Sequence, residues 1–140
     1  MPAEAKQDED KQESRKTILV VDDTQFMHRL LRSAYTKAGY EVAQCTNGKE
    51  ALRLADELLP RLIVMDVMMP EMDGLTAVKH LRNNPRTKRI PIIVLSSRGQ
   101  TVTRVQAEEA GADLFLTKPF SPTELVQRTR TLLGREREAD

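Results

Sequence analysis

The chain has 140 residues, 39% hydrophobic and 31% charged, with 22 Lys and Arg against 21 Asp and Glu for a formal net charge of +1. That is one ordinary globular domain, since the length leaves no room for a second full-sized one and the composition excludes a disordered or membrane-spanning chain. The near-balance of charge argues against binding along a nucleic-acid backbone, and the lone cysteine, Cys45, excludes an internal disulfide and fits a reducing compartment.

Residues 1–15 contain no Leu, Ile, Val or aromatic side chain. They cannot bury enough surface to order themselves and are expected to form a flexible polar tail. They also lack the apolar centre of a signal peptide, and no later apolar run is long enough to cross a bilayer. The expected location is the cytoplasm.

From residue 16 onward, short branched runs alternate with stretches of helical spacing. The first run is Ile18-Leu19-Val20-Val21. A helix follows, with the stripe Phe26, Leu30, Leu31, Ala34 and Ala38, stopped by Gly39. Val42 to Cys45 is a second strand. Asn47, with Glu50 three positions on, then caps a helix carrying Ala51, Leu52, Ala55, Leu58 and Leu59.

Leu62-Ile63-Val64-Met65 is the third strand, and Leu75, Val78 and Leu81 mark the third helix. The basic stretch from Arg82 to Arg89 is broken by Asn83, Asn84 and Pro85 and reads as a solvated loop. Ile92-Ile93-Val94-Leu95 is the fourth strand, followed by the weakest stripe of the set, Val102, Val105 and Ala110. Leu114-Phe115-Leu116 is the fifth strand. Ser121, Pro122 and Glu124 then spell a helix start ahead of Leu125, Val126, Thr129, Leu132 and Leu133.

Gly134 reads as the helix stop, which leaves 134–140 as a short polar tail and 16–133 as the domain. Three of the runs are apolar at every position, as strands covered on both faces must be. The alternation predicts an α/β fold, a doubly wound five-stranded parallel sheet flanked by five helices, flavodoxin-like in plan. In such sheets the ligand crevice lies beyond the carboxyl ends of the strands.

That rule singles out Asp22 and Asp23 after the first strand, Asp66 after the third, Ser96 and Ser97 after the fourth, and Lys118 after the fifth. Carboxylates crowded at one rim repel one another unless a cation intervenes. A hard ion such as Mg2+ prefers carboxylate oxygens, carbonyls and water, and a site with few carboxylates suits a phosphate-bearing ligand. A carboxylate can itself be the nucleophile of phosphoryl transfer, which needs mainly positioning and neutralised charge. Mg2+, Lys118 and the Ser96 hydroxyl would supply these.

On these residues the chain resembles the receiver domain of two-component response regulators, of the stand-alone chemotaxis-regulator kind, from about Lys16 to Leu133. The motifs are Asp22-Asp23, Asp66-Val67-Met68-Met69-Pro70-Glu71-Met72-Asp73-Gly74, Ser96 after an apolar strand, and Lys118-Pro119-Phe120. The resemblance implies that Asp66 accepts the phosphoryl group and that Asp23 and Asp66 ligate Mg2+ by side chain. It further implies that Asp22 acts through water and Met68 through its backbone carbonyl. Ser96 would bond the phosphoryl group, Lys118 would pair with it, and the Lys118-Pro119 bond would be cis.

The resemblance also implies a switch in which Ser96 moves inward and Phe115 fills the vacated space. This would remodel the face of the fourth helix, fifth strand and fifth helix, which is also a candidate dimer contact. Phe115 lacks the hydroxyl of the Tyr found in many relatives, so any such switch would run on packing alone. The implied partners are a histidine kinase or histidine phosphotransfer protein upstream and an unidentified protein downstream, with no direct DNA or membrane contact. With nothing the size of an output domain after Leu133, the expected role is a single-domain regulator rather than an enzyme.

Two rivals stand beside it. A magnesium-dependent aspartyl phosphohydrolase would ordinarily carry a second Asp two positions after the nucleophile, where this chain has Met68, which transfers no proton. A phosphate-independent docking module, a degenerate receiver, would have no use for the complete acidic set with Lys118. Residue by residue, the plainer expectations are that Asp23 caps the first helix, Asp73-Gly74 is a turn and helix entry, and Cys45 is a core residue. Met68, Met69 and Met72 are loop packing, and His28 and His80 are isolated.

Overall fold

The structure, a computed structural model, describes residues 17–67, 69, 72–97 and 103–139, with side chains up to residue 134. Five strands are present: β1 (Thr17–Val21), β2 (Glu41–Cys45), β3 (Leu62–Asp66), β4 (Ile92–Ser97) and β5 (Leu114–Lys118). Five helices alternate with them: α1 (Gln25–Lys37), α2 (Gly48–Leu58), α3 (Gly74–Arg82), α4 (Arg104–Ala110) and α5 (Pro122–Ala139). The strands form one sheet in the order β2-β1-β3-β4-β5, and every neighbouring pair is parallel. The predicted doubly wound architecture is therefore the one observed.

The three central strands are the fully apolar runs, and their alternate residues feed two cores. Ile18, Val20, Leu62, Val64, Ile93 and Leu95 face α1 and α5, where Leu31, Tyr35 and Leu125 complete the packing. Leu19, Val21, Ile63, Met65, Ile92 and Val94 face the other way, against α2, α3 and α4. Burial of one large aliphatic side chain contributes about 1.5–3 kcal/mol. Continuous branched runs with cover on both faces therefore fix the sheet more firmly than any single helix.

The helix starts follow the sequence closely. Asn47 accepts from the Glu50 N–H at 2.8 Å, and Ser121 Oγ accepts from the Glu124 N–H at 3.3 Å. Asp73 caps α3 by accepting from the Thr76 N–H at 2.9 Å. On α4, Thr103 and Gln106 form a reciprocal capping box.

Four expectations are corrected. The buried stripe of α1 is Met27, His28, Leu31 and Tyr35, while Phe26 is 74% exposed. An apolar periodicity with both Leu30 and Leu31 admits two neighbouring faces, and the Tyr35 hydroxyl decides between them by bonding Thr129 Oγ1 on α5 at 2.7 Å. On α4, Val105 points outward and the small residues Ala107 and Ala110 make the contact, because this helix packs close to its neighbours.

The helix α5 does not stop at Gly134 but continues to Ala139. A Cβ at Gly134 would meet nothing within 4 Å, and the Arg and Glu residues that follow are good helix formers, so one glycine costs only about 1 kcal/mol. Finally, the stretch from Arg82 to Arg89 is not simply a solvated loop. The Arg82 guanidinium donates to the carbonyls of Gly111, Lys88 and Ile90 and to Asp113, and Arg86 pairs with Asp56. Those two cations are consumed in holding α3 to its neighbours.

Candidate functional site

Strand register brings the predicted residues to one rim. Val21 stands opposite Met65, Asp66 opposite Leu95, and Ser97 opposite Lys118. The residue after β1 is therefore level with the last residue of β3, and β4 and β5 run two residues further along the same rim, carrying Ser96, Ser97 and Lys118. The ligand oxygens of Asp22, Asp23 and Asp66 all lie within 4.8 Å of one another. Lys118 Nζ reaches in from β5, at 3.1 Å from Asp22 Oδ2 and 3.5 Å from Asp66 Oδ1. Asp22, Asp66 and Ser96 are buried, whereas Asp23 is exposed.

Asp22 is held at several points. Its N–H donates to the Cys45 carbonyl at 3.1 Å, and Oδ1 accepts both the N–H and the hydroxyl of Thr24 at 2.9 Å. Thr24 in turn caps α1, accepting from the Met27 N–H. Capping of this helix by Asp23, the plainer reading of that residue, does not occur. The exposed Asp23 carboxylate is turned to the rim instead.

Asp66 depends on a close approach that only glycine permits. The Gly74 N–H donates to the Val67 carbonyl at 2.9 Å. A Cβ built on Gly74 would collide with the Asp66 carbonyl oxygen and come within 3.0 Å of Val67 Cα. The start of α3 thus presses directly on the backbone of Asp66. Ser96 Oγ donates to the Ser97 carbonyl at 3.4 Å. Phe115 is half-buried against the α2, α3 and α4 core, and the Lys118-Pro119 peptide is cis as expected. Met68, expected to offer its carbonyl, lies outside the described residues, as do Val102 and residues 1–15.

Electrostatics define what this rim can hold. At an effective dielectric constant of about 20, each pair of carboxylates at such separations repels by roughly 3 kcal/mol. One ammonium offsets part of this and leaves three carboxylates and one lysine with a formal charge of −2. A hard divalent cation matches that charge and these oxygen donors.

The model of the response regulator receiver domain matches residues 18–130. The chain belongs to the response regulator receiver family. This receiver domain is 45% identical over 114 residues to the chemotaxis protein CheY of Thermotoga maritima, covering 80% of this chain and 92% of that protein. It is 42% identical over 118 residues to the transcriptional regulatory protein SrrA of Staphylococcus aureus, covering 84% of this chain but only 48% of that relative, about half its length.

Among solved structures it superposes on the receiver domain of the sensor histidine kinase PA1611 of Pseudomonas aeruginosa, with a TM-score of 0.79 and 28% identity. That match covers 86% of this chain and 99% of the other, which has a magnesium ion coordinated in its active-site cleft. The receiver fold and its place in two-component signalling are thereby established for this chain. Among the described residues, no helix is long and apolar enough to cross a membrane.

Sequence reasoning missed three residues that shape this receiver domain. Gly74 is the helix entry expected of it, but the expectation does not include its close approach to the Asp66 backbone, for which a glycine near a strand end is a signal. Arg82 carried no signal beyond its charge. His28, expected to be isolated, has its Nε2 2.6 Å from the Asp22 carbonyl oxygen.

Proposed function

We propose that this receiver domain accepts a phosphoryl group on Asp66 from a histidine kinase or histidine phosphotransfer protein, with Mg2+ held by Asp22, Asp23 and Asp66. The observation that carries the reading is the convergence of three carboxylates within 4.8 Å of one another, with Lys118 beside two of them. Family membership supports the acceptor role, and the donor set fits the ion. Mg2+, when bound, supplies charge neutralisation to the carboxylates and to the incoming phosphoryl oxygens.

The chain's own residues divide the remaining work. An Asp66 oxygen bonds to phosphorus as the bond from phosphorus to the donor's imidazole nitrogen breaks. The electron pair returns to that nitrogen, which takes up a proton as the donor leaves. Lys118 pairs with a phosphoryl oxygen, and its burial beside two carboxylates keeps it in place as a point charge. Asp22 acts on the ion mostly through water, since its own oxygens are already engaged by Thr24 and Lys118. The buried Val67 side chain and Met68 offer no group to activate water, so slow self-dephosphorylation follows rather than turnover.

The output reading couples Ser96 to Phe115. Drawing the Ser96 hydroxyl to the phosphoryl group opens space beside β5, and the half-buried Phe115 ring can enter it. The face of α4, β5 and α5 is the partner surface in this reading, and α4 carries an exposed apolar side chain, Val105, at 59% exposure. Action as a single-domain regulator is supported by the chemotaxis relative, 92% of whose length is matched. Output through protein contact rather than DNA is supported by the tying down of Arg82 and Arg86.

Incubation with acetyl phosphate and Mg2+ should add one phosphoryl mass to the wild-type chain and none to Asp66→Ala. Peptide mapping that finds the label on another residue, or labelling of Asp66→Ala at the wild-type level, would refute the assignment.

A further inference from the structure

His28 is 9% exposed on α1, and its Nε2 lies 2.6 Å from the backbone carbonyl oxygen of Asp22. A carbonyl oxygen only accepts, so Nε2 carries the proton and donates. The other ring nitrogen, Nδ1, is buried with no hydrogen-bond partner among the described residues. A buried polar atom left without a partner carries a desolvation penalty that Leu or Met at the same helical position would avoid. The net gain in stability from this imidazole is therefore small. What the ring supplies is its one bond.

That bond holds the peptide unit joining Asp22 to Asp23. On the far side of the same segment the Thr24 N–H is fixed to Asp22 Oδ1 at 2.9 Å. The Asp23 carboxylate, by contrast, makes no hydrogen bond or ion pair with any described residue. It is exposed, and only its backbone fixes where it points. α1 is itself docked to β2 close by, since Gln44 Nε2 donates to the His28 carbonyl at 2.9 Å while Gln44 Oε1 accepts from the Arg32 guanidinium at 3.0 Å. The ring thus transmits the position of a packed helix to Asp23, the rim carboxylate that makes no polar contact of its own with a described residue.

We infer that His28 is a positioning residue for the acidic rim: its buried ring clamps the Asp22–Asp23 peptide and so aims the Asp23 carboxylate at the cation. This rests on the metal reading proposed above. Groups that orient metal ligands without touching the ion typically change affinity by about 10- to 100-fold when removed. Restraint through a peptide plane places His28 at the lower end of that range.

Two substitutions separate positioning from packing. His28→Gln keeps an N–H at a reach similar to Nε2, whereas His28→Leu fills the space and donates nothing. Calorimetric titration with Mg2+ alone should give His28→Leu about tenfold weaker binding, with a metal-free Tm close to wild type, since relief of the orphaned Nδ1 offsets loss of the bond to Asp22, and His28→Gln should bind within about twofold of wild type. Without metal, the amide order parameter of Asp23 should fall in His28→Leu and hold in His28→Gln. If His28→Leu does not fold, His28→Asn, polar but too short to reach, replaces it.

Wild-type Mg2+ affinity in His28→Leu overturns the inference, and so does equal loss in both variants that follows a fall in Tm. Should the wild-type chain not bind Mg2+ at all, the metal reading fails. The Asp23 order parameter then decides the clamp by itself: unchanged mobility in His28→Leu overturns it.

Discussion

The Lys118 ammonium stands nearer to Asp22, at 3.1 Å from Oδ2, than to Asp66, at 3.5 Å from Oδ1. Both carboxylates are buried, and Lys118 is itself only 18% exposed at the side chain. Before any cation arrives, this lysine is what makes the acidic rim tolerable. Removing one partner of a buried ion pair leaves an uncompensated charge, a loss of several kcal/mol when burial is complete. Lys118→Ala is therefore expected to destabilise the metal-free protein by about 2–4 kcal/mol. Mg2+ should return more stability to this variant than to wild type, because binding to the folded state alone raises its stability. Urea unfolding with and without Mg2+ checks both parts, and a magnesium-induced gain no larger than that of wild type would contradict the electrostatic account.

Gly74 tests the coupling between α3 and the acceptor strand. A methyl group there must displace either the Asp66 carbonyl or the helix start, since both contacts are with backbone. Overpacking of this kind costs about 1–3 kcal/mol. Gly74→Ala is expected to lower stability by that amount and also to slow labelling by acetyl phosphate, because the shift falls on Asp66 itself. Gly134→Ala, at an open helical position, is the control and should be neutral or slightly stabilising. Equal labelling rates in Gly74→Ala and wild type would show that α3 does not govern the acceptor.

The two substitutions also mark what could be read without coordinates. The strands were legible because continuous runs such as Ile92-Ile93-Val94-Leu95 have one stable use, burial on both faces. The rim followed from the rule that strand ends converge, which needs only the position of each Asp, Ser and Lys in its run. Less legible was anything decided by a long-range polar contact. The face of α1 turned on Tyr35 meeting Thr129, 94 positions away, and no local periodicity encodes that meeting. The role of Gly74 is likewise a distance to Asp66, not a property of its neighbours. Gly134 failed as a helix stop for a different reason: the breaking tendency of one glycine is small beside a run of helix-forming neighbours.

Arg82 binds four acceptors from two connections of the chain: the Lys88 and Ile90 carbonyls at 2.9 and 2.8 Å before β4, and the Gly111 carbonyl and Asp113 Oδ2, each at 2.8 Å, before β5. Asp113 Oδ2 also accepts from the Ile92 N–H at 2.8 Å, so the carboxylate ties the start of β4 to the end of α3. Burial, which favours the neutral guanidine, lowers the Arg82 pKa, and Asp113 opposes the shift. The group stays charged at any ordinary pH. Loss of a charged donor that satisfies several carbonyls costs about 2–4 kcal/mol. Arg82→Ala should shift the urea midpoint accordingly without changing the slope, and Arg82→Lys should recover only a minor part, since an ammonium cannot span these acceptors. A midpoint unchanged in Arg82→Ala would remove the latch from the account.

Cys45 ends β2 with a buried thiol whose pKa is raised from 9.0 to about 12, chiefly by burial, with the Asn47 backbone contact acting the other way. The thiolate is the reactive form, so native Cys45 should alkylate with iodoacetamide far more slowly at pH 8 than an exposed thiol does. Exposure by unfolding should abolish the difference. The sign of the stability linkage follows from the same shift. Burial favours the protonated thiol, so the folded pKa lies above the unfolded one, and the associated stability is fully present below about pH 9. It is lost as pH rises toward 12, because the unfolded chain ionises first. Cys45→Ala should abolish that part of the alkaline decline, measured as the urea midpoint at pH 8 and pH 11 in both proteins. Rapid alkylation of the native chain at pH 8, matching that of the urea-unfolded chain, would mean that the β2 end opens on the labelling timescale and that the thiol is not held in the core.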